Sequence, residues 1–510
     1  EIFKMNKKII KIENLKKKID QLKKKNKKIV HCHGVFDVVH IGHIKHFKEA
    51  KKKGDKLIVT VTTDKFVNKG SGRPIFKQSK RIEFLSQITC VDYLCLSDSD
   101  SAIKLLEIIK PNYYIKGQEY KIAKKDQTGK IILEKKIVEK NGGKIIFTNE
   151  ETFSSSNIIN NNFSYSEGQL KYLNLISKKY SIEYINKLFE KIEKLKVLVI
   201  GETIIDQYNF CEALGKSGKE PYLALKDIYS ENYLGGAAAI ANNLAEFCKK
   251  IKLVSMLGEK KEHINFINKK LHNKIDTFFF RKKNSPTILK KRFIDNITKS
   301  KLFGIYSIND DNISKKEDDN ISKYIQKIIN KYDLIIISDY GHGFLSNKTA
   351  TKICLKKKFI ALNAQVNASN IGYHTLLKYK NINSTIINET ELRHEMRNKN
   401  DNIFTLSKQL KKKLKTKNLL VTRGKNGAIL INGKNDKIID CPAYANNVVD
   451  RVGAGDSMLS IISLLIKIGA PDDLSLLLGS FAGAASVETI GNSEFLKKKN
   501  FLRHLEFALK

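Results

Sequence analysis

The sequence predicts an α/β protein of two doubly wound domains, a small one in the first third of the chain and a larger one after it. Short apolar strands alternate with helical segments. Lys28–His33 and Lys56–Thr62 are parted only by a turn and one helix, a spacing that implies a right-handed parallel crossover. Two glycine-bearing turns, Gly34 to Val39 and Gly453 to Gly455, each open onto a helix. A polar stretch, Asn160 to Gly168, interrupts the pattern, which restarts with a strand at Val197–Asp206. The expected divisions are a basic helical segment at 1–27, a first domain at 28–160, a helical linker at 161–195 and a second domain at 196–510.

Composition narrows the function. The 510 residues carry a formal net charge of +40, spread along helices and loops alike. No basic stripe interleaved with stacking aromatics is present, so a dedicated nucleic-acid surface is not expected. Anionic small substrates suit the charge equally well. The seven cysteines form no C-x-x-C pair and lie mostly among apolar residues, which suits reduced thiols in the cytoplasm. No apolar run reaches the roughly 18 residues needed to span a bilayer, and a soluble protein is expected.

Taken in order, the first helical segment carries a thin apolar stripe of Ile9, Ile12, Leu15, Ile19 and Leu22. After strand 28–33, a helix is expected over 41–53, closed by Gly54; it places His40, Gly42 and His43 at a helix N-terminus. Further strands are expected at 56–62, 93–96, 113–115 and 144–147, with helices at 78–88, 100–109 and 131–141. Ligands in such sheets bind at the carboxyl ends of the strands, where Gly34 to His43 lies. Five histidines between His31 and His46 raise the question of zinc, which would want a carboxylate or thiolate to complete four ligands. Cys32 points away from its two histidine neighbours, which counts against zinc and leaves plain structural histidines beside a role at a ligand site.

The run Gly34-Val-Phe36-Asp37-Val-Val-His40-Ile-Gly42-His43, followed by Lys45, Arg73-Pro74, Arg81, Lys116-Gly117 and Ser154-Ser155-Ser156-Asn-Ile-Ile159, resembles the cytidylyltransferase-like branch of the H-x-G-H nucleotidylyltransferases. The resemblance implies that His40, His43 and Lys45 stabilise charge at an α-phosphate and that the serine turn holds terminal phosphates. Gly34, Phe36, Asp37, Gly42, Arg81, Lys116 and Gly117 would line the nucleotide site. The chemistry agrees: a phosphomonoester is already ionised near neutral pH, so it needs cations and helix dipoles around a crowded anion, not a general base.

In the second domain, Gly453, Ala454 and Gly455 open an apolar helix whose free N–H groups would face an anion. A carboxylate there, Asp456, is electrostatically wasteful unless it accepts a proton from an attacking hydroxyl. Asp206, at the end of a strand, can grip sugar hydroxyls, and Gly235-Gly236 lets a ligand approach the backbone. Together with Asn243, Lys290, Arg292, Asn388, Glu391, Thr422, Gly424 and Gly427, these residues resemble the ribokinase-like (PfkB) sugar kinases in family order. That resemblance implies Asp456 as base, Gly453 to Gly455 as anion hole, and Asn388 with Glu391 ordering Mg2+ and phosphates. Asp206, Gly235, Gly236, Asn243, Lys290 and Arg292 would bind the sugar under a strand lid formed by segments 207–230 and 276–296.

The two domain types together resemble the bifunctional heptose-phosphate kinase and heptose-1-phosphate nucleotidylyltransferase family of ADP-heptose synthesis, in reversed order. The pairing implies ATP as phosphoryl donor, ATP or CTP as nucleotidyl donor, sugar phosphate substrates and a homodimer. Ala239, Arg451, the segment Gly215–Pro221 and Leu362–Gln365 depart from the family pattern near the sugar and the lid. A ligand-sensing module and a basic RNA-associated protein compete with the enzyme reading; the presence of Asp456, His40 and His43 argues for an enzyme.

Overall fold

The computed structural model describes residues 7–67, 73–99, 101–117, 130–148, 165–366, 369–433 and 435–509. Packing divides the chain into two units: residues 1–170 with 499–510, and residues 171–498.

In the first unit, five described strands form a parallel sheet: β1 (Ile29–Gly34), β2 (Lys56–Thr62), β3 (Tyr93–Ser97), β4 (Tyr113–Lys116) and β5 (Lys144–Phe147). Their order is β3-β2-β1-β4-β5. Chain direction across the sheet reverses at β1, so the crevice beyond Gly34 is a topological switch point. The helix Ile41–Lys51 begins there. It starts where it does because His40, in an extended conformation, caps it. Near the start of the chain, Leu15, Ile19 and Leu22 of helix Ile12–Lys24 are buried, whereas Ile12 is exposed and drops out of the expected stripe.

The second unit is built on a sheet of nine described strands. In chain order these are β6 (Lys196–Gly201), β9 (Lys250–Gly258), β10 (Ile275–Lys282), β13 (Leu334–Asp339), β14 (Phe359–Ala364), β15 (Ser384–Asn388), β16 (Asn418–Thr422), β17 (Ala428–Asn432) and β18 (Lys437–Cys441). The intervening numbers belong to a second, four-stranded sheet: β7 (Thr203–Lys216), β8 (Leu223–Gly235), β11 (Leu289–Asp295) and β12 (Lys301–Ser307). The large sheet runs β10-β9-β6-β13-β14-β15-β16-β17-β18, parallel from β10 to β16 and antiparallel at β17 and β18. Strand β13 is buried along its whole length, as expected of a parallel strand covered on both faces. Helix Ala454–Lys467, apolar from Met458 to Leu465 except for two small serines, is buried over that stretch.

The smaller sheet, ordered β12-β11-β7-β8, is the lid. Its first half matches the expected segment 207–230. Its second half corrects the reading of 276–296: Ile275–Lys282 pairs in parallel with β9 as the edge of the large sheet, and the lid resumes only at Leu289. Strand β12 was not foreseen. The helices Glu167–Lys179 and Ile182–Ile192, read as a linker, belong from residue 171 onward to the second unit. Tyr172, Lys179 and Tyr180 all bond Asp473, and Ile185, Leu188, Phe189 and Ile192 are buried at helical spacing. No described helix is long and apolar enough to cross a membrane.

Candidate active sites

The mouth of the large-unit site is the start of helix Ala454–Lys467. Gly453 is its N-cap, with φ of 89° and no side-chain cap. A Cβ at Gly453 would lie 2.0 Å from Asn492 Oδ1, so both the backbone conformation and the space require glycine. The first N–H groups of the helix, with Ala454 and the open Gly455 beside them, are a ready anion site.

Asp456 sits in the first turn. Tyr340 donates its hydroxyl to Asp456 Oδ1 at 2.7 Å. Burial pushes the Asp456 carboxyl up to about 7; Asp206 adds to the rise, while Tyr340 and Lys290 oppose it. That is where a general base at neutral pH should lie. Asp206, on β7, is buried and takes a hydrogen bond from Arg292 Nη1 of β11. Lys290 stands directly across from Asp206 in the strand register, and burial lowers its ammonium pKa. Gly235 permits this crowding, since a Cβ there would come within 2.5 Å of Asp206 Oδ2. Gly236 follows as the first residue of helix Gly236–Leu244.

Asn388 and Glu391 close the same sheet edge. Asn388 caps helix Glu389–Met396: its Oδ1 accepts from Glu391 N at 2.8 Å, and Glu391 Oε2 accepts from Asn388 N at 3.1 Å. Burial pushes Glu391 up to about 7, and Asp456 adds to the rise. Thr422 ends β16 beside Asn388, and the turn through Gly424 and Gly427 leads into β17. Asp456, Asp206, Lys290, Arg292 and Glu391 therefore share one electrostatic neighbourhood. Asn243 does not open onto it: its Nδ2 donates to Ser457 Oγ and its Oδ1 accepts from Leu496 N, which makes it a tie between backbone segments.

At the first-unit switch point, His40 Nδ1 accepts from Gly42 N at 3.1 Å, and His43 Nδ1 accepts from His40 N at 3.3 Å. The ring centroids are 4.2 Å apart. Since each Nδ1 is an acceptor, the proton of each neutral ring sits on Nε2 and makes it a donor. Burial lowers the His40 pKa and so favours its neutral, hydrogen-bonding form. Lys45 is exposed at the start of the second turn of the same helix.

Several expected nucleotide contacts carry internal bonds in this structure. Arg81 is buried and its guanidinium is spent on Phe76 O, Val35 O, Thr62 O and Asp64. Asp37 accepts from Ile75 N and Phe76 N. Phe36 packs edge-on to His43, and Gly34 leaves room for that ring. Lys116, before Gly117, pairs with buried Glu134 at 3.2 Å. His31 and His33 both bond Thr60 Oγ1 at 2.8 Å, and no three His, Cys, Asp or Glu side chains gather as a metal cage among the described residues. Ser154, Ser155 and Ser156 lie outside the described residues.

Comparison with known proteins bears on both units. The model of the pfkB family carbohydrate kinases matches residues 194–499. The chain belongs to that family. A second family model, cytidylyltransferase-like, matches residues 31–161, so the chain combines a kinase and a nucleotidyltransferase domain. The bifunctional protein HldE of Geobacter metallireducens is 34% identical over 155 residues, 30% of each chain. That of Campylobacter jejuni subsp. doylei is 37% identical over 151 residues, 29% of this chain and 31% of the relative. The matches thus span about a third of the relatives' length. Phosphofructokinase-2 from Escherichia coli, crystallised with substrates and products, shares the fold of the large unit. Its TM-score is 0.50 at 14% identity, over 62% of this chain and all of that one.

Around the pfkB site lie supporting groups, of which sequence reasoning did not single out Glu202. Glu202, directly after β6, is fully buried and accepts from Tyr340 N at 3.0 Å and His342 N at 3.1 Å. Burial and the nearby Asp339 push it up to about 7. Asp339 is held low despite burial, by Lys378 at 2.5 Å and Tyr379 at 2.7 Å. These acids fix the turn that carries Tyr340 to Asp456. The local signal for Glu202 was thin: one acid after a strand-ending glycine.

Proposed function

We propose that the chain is a bifunctional transferase of nucleotide-sugar synthesis. One unit would phosphorylate a sugar or sugar phosphate of the heptose 7-phosphate kind with ATP. The other would transfer a nucleotidyl group from ATP or CTP to a sugar 1-phosphate, releasing pyrophosphate. The kinase half rests on one observation above the rest: Asp456, tuned to about 7, lies in the same neighbourhood as Asp206, Lys290 and Arg292. The relatives named bifunctional protein HldE and the two family matches support joining the halves.

In the kinase, Asp456 accepts the proton of the attacking hydroxyl as the oxygen closes on the γ-phosphorus, and Tyr340 keeps that carboxylate aimed. Asp206 holds a hydroxyl pair, while Lys290 and Arg292 suit a substrate that already carries a phosphate. The N–H groups after Gly453 take up charge on the transferring phosphoryl group. Buried Glu391 and the Asn388 amide are hard oxygen donors of the sort that hold Mg2+ through water alongside nucleotide phosphates, and a cation there would favour the ionised form of Glu391 and Asp456. Bound Mg2+ would neutralise phosphate charge. In the transferase, His40 and His43 donate Nε2–H to the α-phosphate region and Lys45 adds a full charge, with the helix dipole behind them.

A kinase adding an anomeric phosphate to a terminally phosphorylated sugar makes a bisphosphate, whereas the transferase takes a monophosphate, so a separate phosphatase must act between. The test is one pot containing heptose 7-phosphates, ATP, CTP and magnesium, with and without a bisphosphate phosphatase. Nucleotide-sugar should form only when the phosphatase is present. Equal formation without it would reject the bisphosphate route.

A further inference from the structure

The Gly453–Gly455 turn is held from outside the helix it begins. Three residues before Gly453, Asp450 is 5% exposed, and its carboxylate takes Val452 N at 3.2 Å and Gly491 N at 3.0 Å. The remaining partners of that carboxylate come from the lid. Tyr208 of β7 donates its hydroxyl to Asp450 Oδ2, and Lys301 of β12 reaches Oδ1 at 2.6 Å. Although burial works against ionisation, Lys301 and Tyr208 hold the Asp450 carboxyl below its ordinary range.

The same tyrosine touches the sugar grip. The Arg292 guanidinium lies 5.6 Å from the centre of the Tyr208 ring and binds Asp206, and Lys301 Nζ lies over the same ring at 5.6 Å. An unbroken chain of contacts therefore runs from Asp206 through Arg292, Tyr208 and Asp450 to Val452 N, one residue before the anion turn. Cation–ring and charge-assisted contacts of this kind depend on the exact placement of the lid strands.

We propose that Tyr208 and Lys301 are positioning residues for phosphoryl transfer, which couple the seating of the sugar between Asp206 and Arg292 to the shape of the Gly453–Gly455 turn. The lid then does more than cover the substrate. A kinase must withhold the γ-phosphoryl group from water until its acceptor is in place, and this latch ties the shape of the anion turn to the strands that seat the acceptor. The inference rests on the sugar-site and base assignments proposed above.

Two substitutions separate the latch from the fold. Tyr208→Phe keeps the ring that Arg292 and Lys301 stack on and removes only the bond to Asp450. Lys301→Met acts at a side chain that is 42% exposed. With the heptose 7-phosphate that the parent phosphorylates fastest, kcat should fall about tenfold in each variant, since small misplacements of a reacting group cost at least this much. KM for the sugar should change less than about threefold, because Asp206 and Arg292 remain. The ratio of sugar-independent ADP release to sugar phosphorylation should rise about fivefold, and Lys301→Arg should recover most of the loss. Amide hydrogen exchange across 449–457 should quicken in both variants without any substrate. Unchanged exchange there would overturn the coupling even if the sugar reading itself failed. A parent that phosphorylates no heptose 7-phosphate would reject the substrate class alone, with exchange still deciding the latch. If both variants keep kcat and the hydrolysis ratio within twofold of the parent, or raise KM with kcat intact, the lid is only a binding surface.

Discussion

On the proposed functions, the two helix mouths of this chain meet the same problem, a crowded phosphate, with opposite materials. In the pfkB unit the mouth is left open: Gly453 provides no side-chain cap, and the first polar side chain is a carboxylate, Asp456. In the cytidylyltransferase-like unit the mouth is filled by two imidazoles that cap the helix through Nδ1. The difference follows the nucleophile. A sugar hydroxyl must lose its proton as it attacks, so a base belongs beside the phosphate; a sugar phosphate arrives ionised, so only donors and cations are needed. A carboxylate near an anion site is thus informative because it is costly, and its absence from the other mouth is informative for the same reason.

The comparison is broken most directly by exchanging the base for its neutral shape. Asp456→Asn should lower sugar-dependent ADP formation by roughly two to four orders of magnitude and leave nucleotidyl transfer unchanged. Kinase activity within a few-fold of the parent, in a folded variant, would remove Asp456 from the chemistry. The reciprocal change, His43→Ala, should cost about 3 to 4 kcal/mol of transition-state stabilisation in nucleotidyl transfer and spare the kinase. Activity lost to zinc chelators and restored by zinc but not magnesium would point to a metal role for these histidines instead.

How much of this was legible in the sequence depends on the range of the contact. Strand β2 and strand β5 lie where their apolar runs predict, and the helix after His40 starts where its cap sits, because strand pattern and capping are local. The lid was read only in part. Ile275–Lys282 has lid-like aromatics, yet its partner is β9, a choice made by tertiary pairing. Arg81 and Asp37 bear nucleotide-site signatures but hold up loops, since a buried guanidinium must find acceptors wherever the backbone offers them. Tyr340 on Asp456 and Lys301 on Asp450 span more than a hundred residues each, and no local pattern announces them.

Proton titration sharpens the contrast more gently. With the Asp456 carboxyl raised to about 7, the kinase base is mostly ionised at pH 8 and mostly protonated at pH 6. Kinase kcat/KM should therefore fall about tenfold between those values. Burial lowers the His40 pKa, so protonation of that ring is disfavoured toward the acid end of the range. Nucleotidyl transfer, whose substrate phosphate titrates in the same region, serves as the control and should fall by less than about threefold. Parallel profiles for the two activities would mean that substrate ionisation, not Asp456, sets the kinase dependence.

The smallest effect is on stability, and its sign is what tests the idea. A carboxyl whose folded pKa is raised above its unfolded value binds protons more tightly when folded, so its contribution to stability is present at low pH and is lost as pH rises through the folded value. For Asp456 the window runs from the ordinary aspartate range, 3.8, up to about 7. Asparagine mimics the protonated carboxyl at every pH. Asp456→Asn should therefore melt higher than the parent at pH 8, by a few °C for a gain on the order of 2 kcal/mol, and the advantage should shrink toward pH 5. The high positive charge of the chain is common to both proteins and cancels in the difference. His43→Ala should show no such pH-dependent gain, because its mouth holds no raised acid. An Asp456→Asn protein that is less stable than the parent at pH 8 would show that the carboxylate is stabilised in place by Tyr340 and Lys290, and that the kinase mouth carries no stored cost.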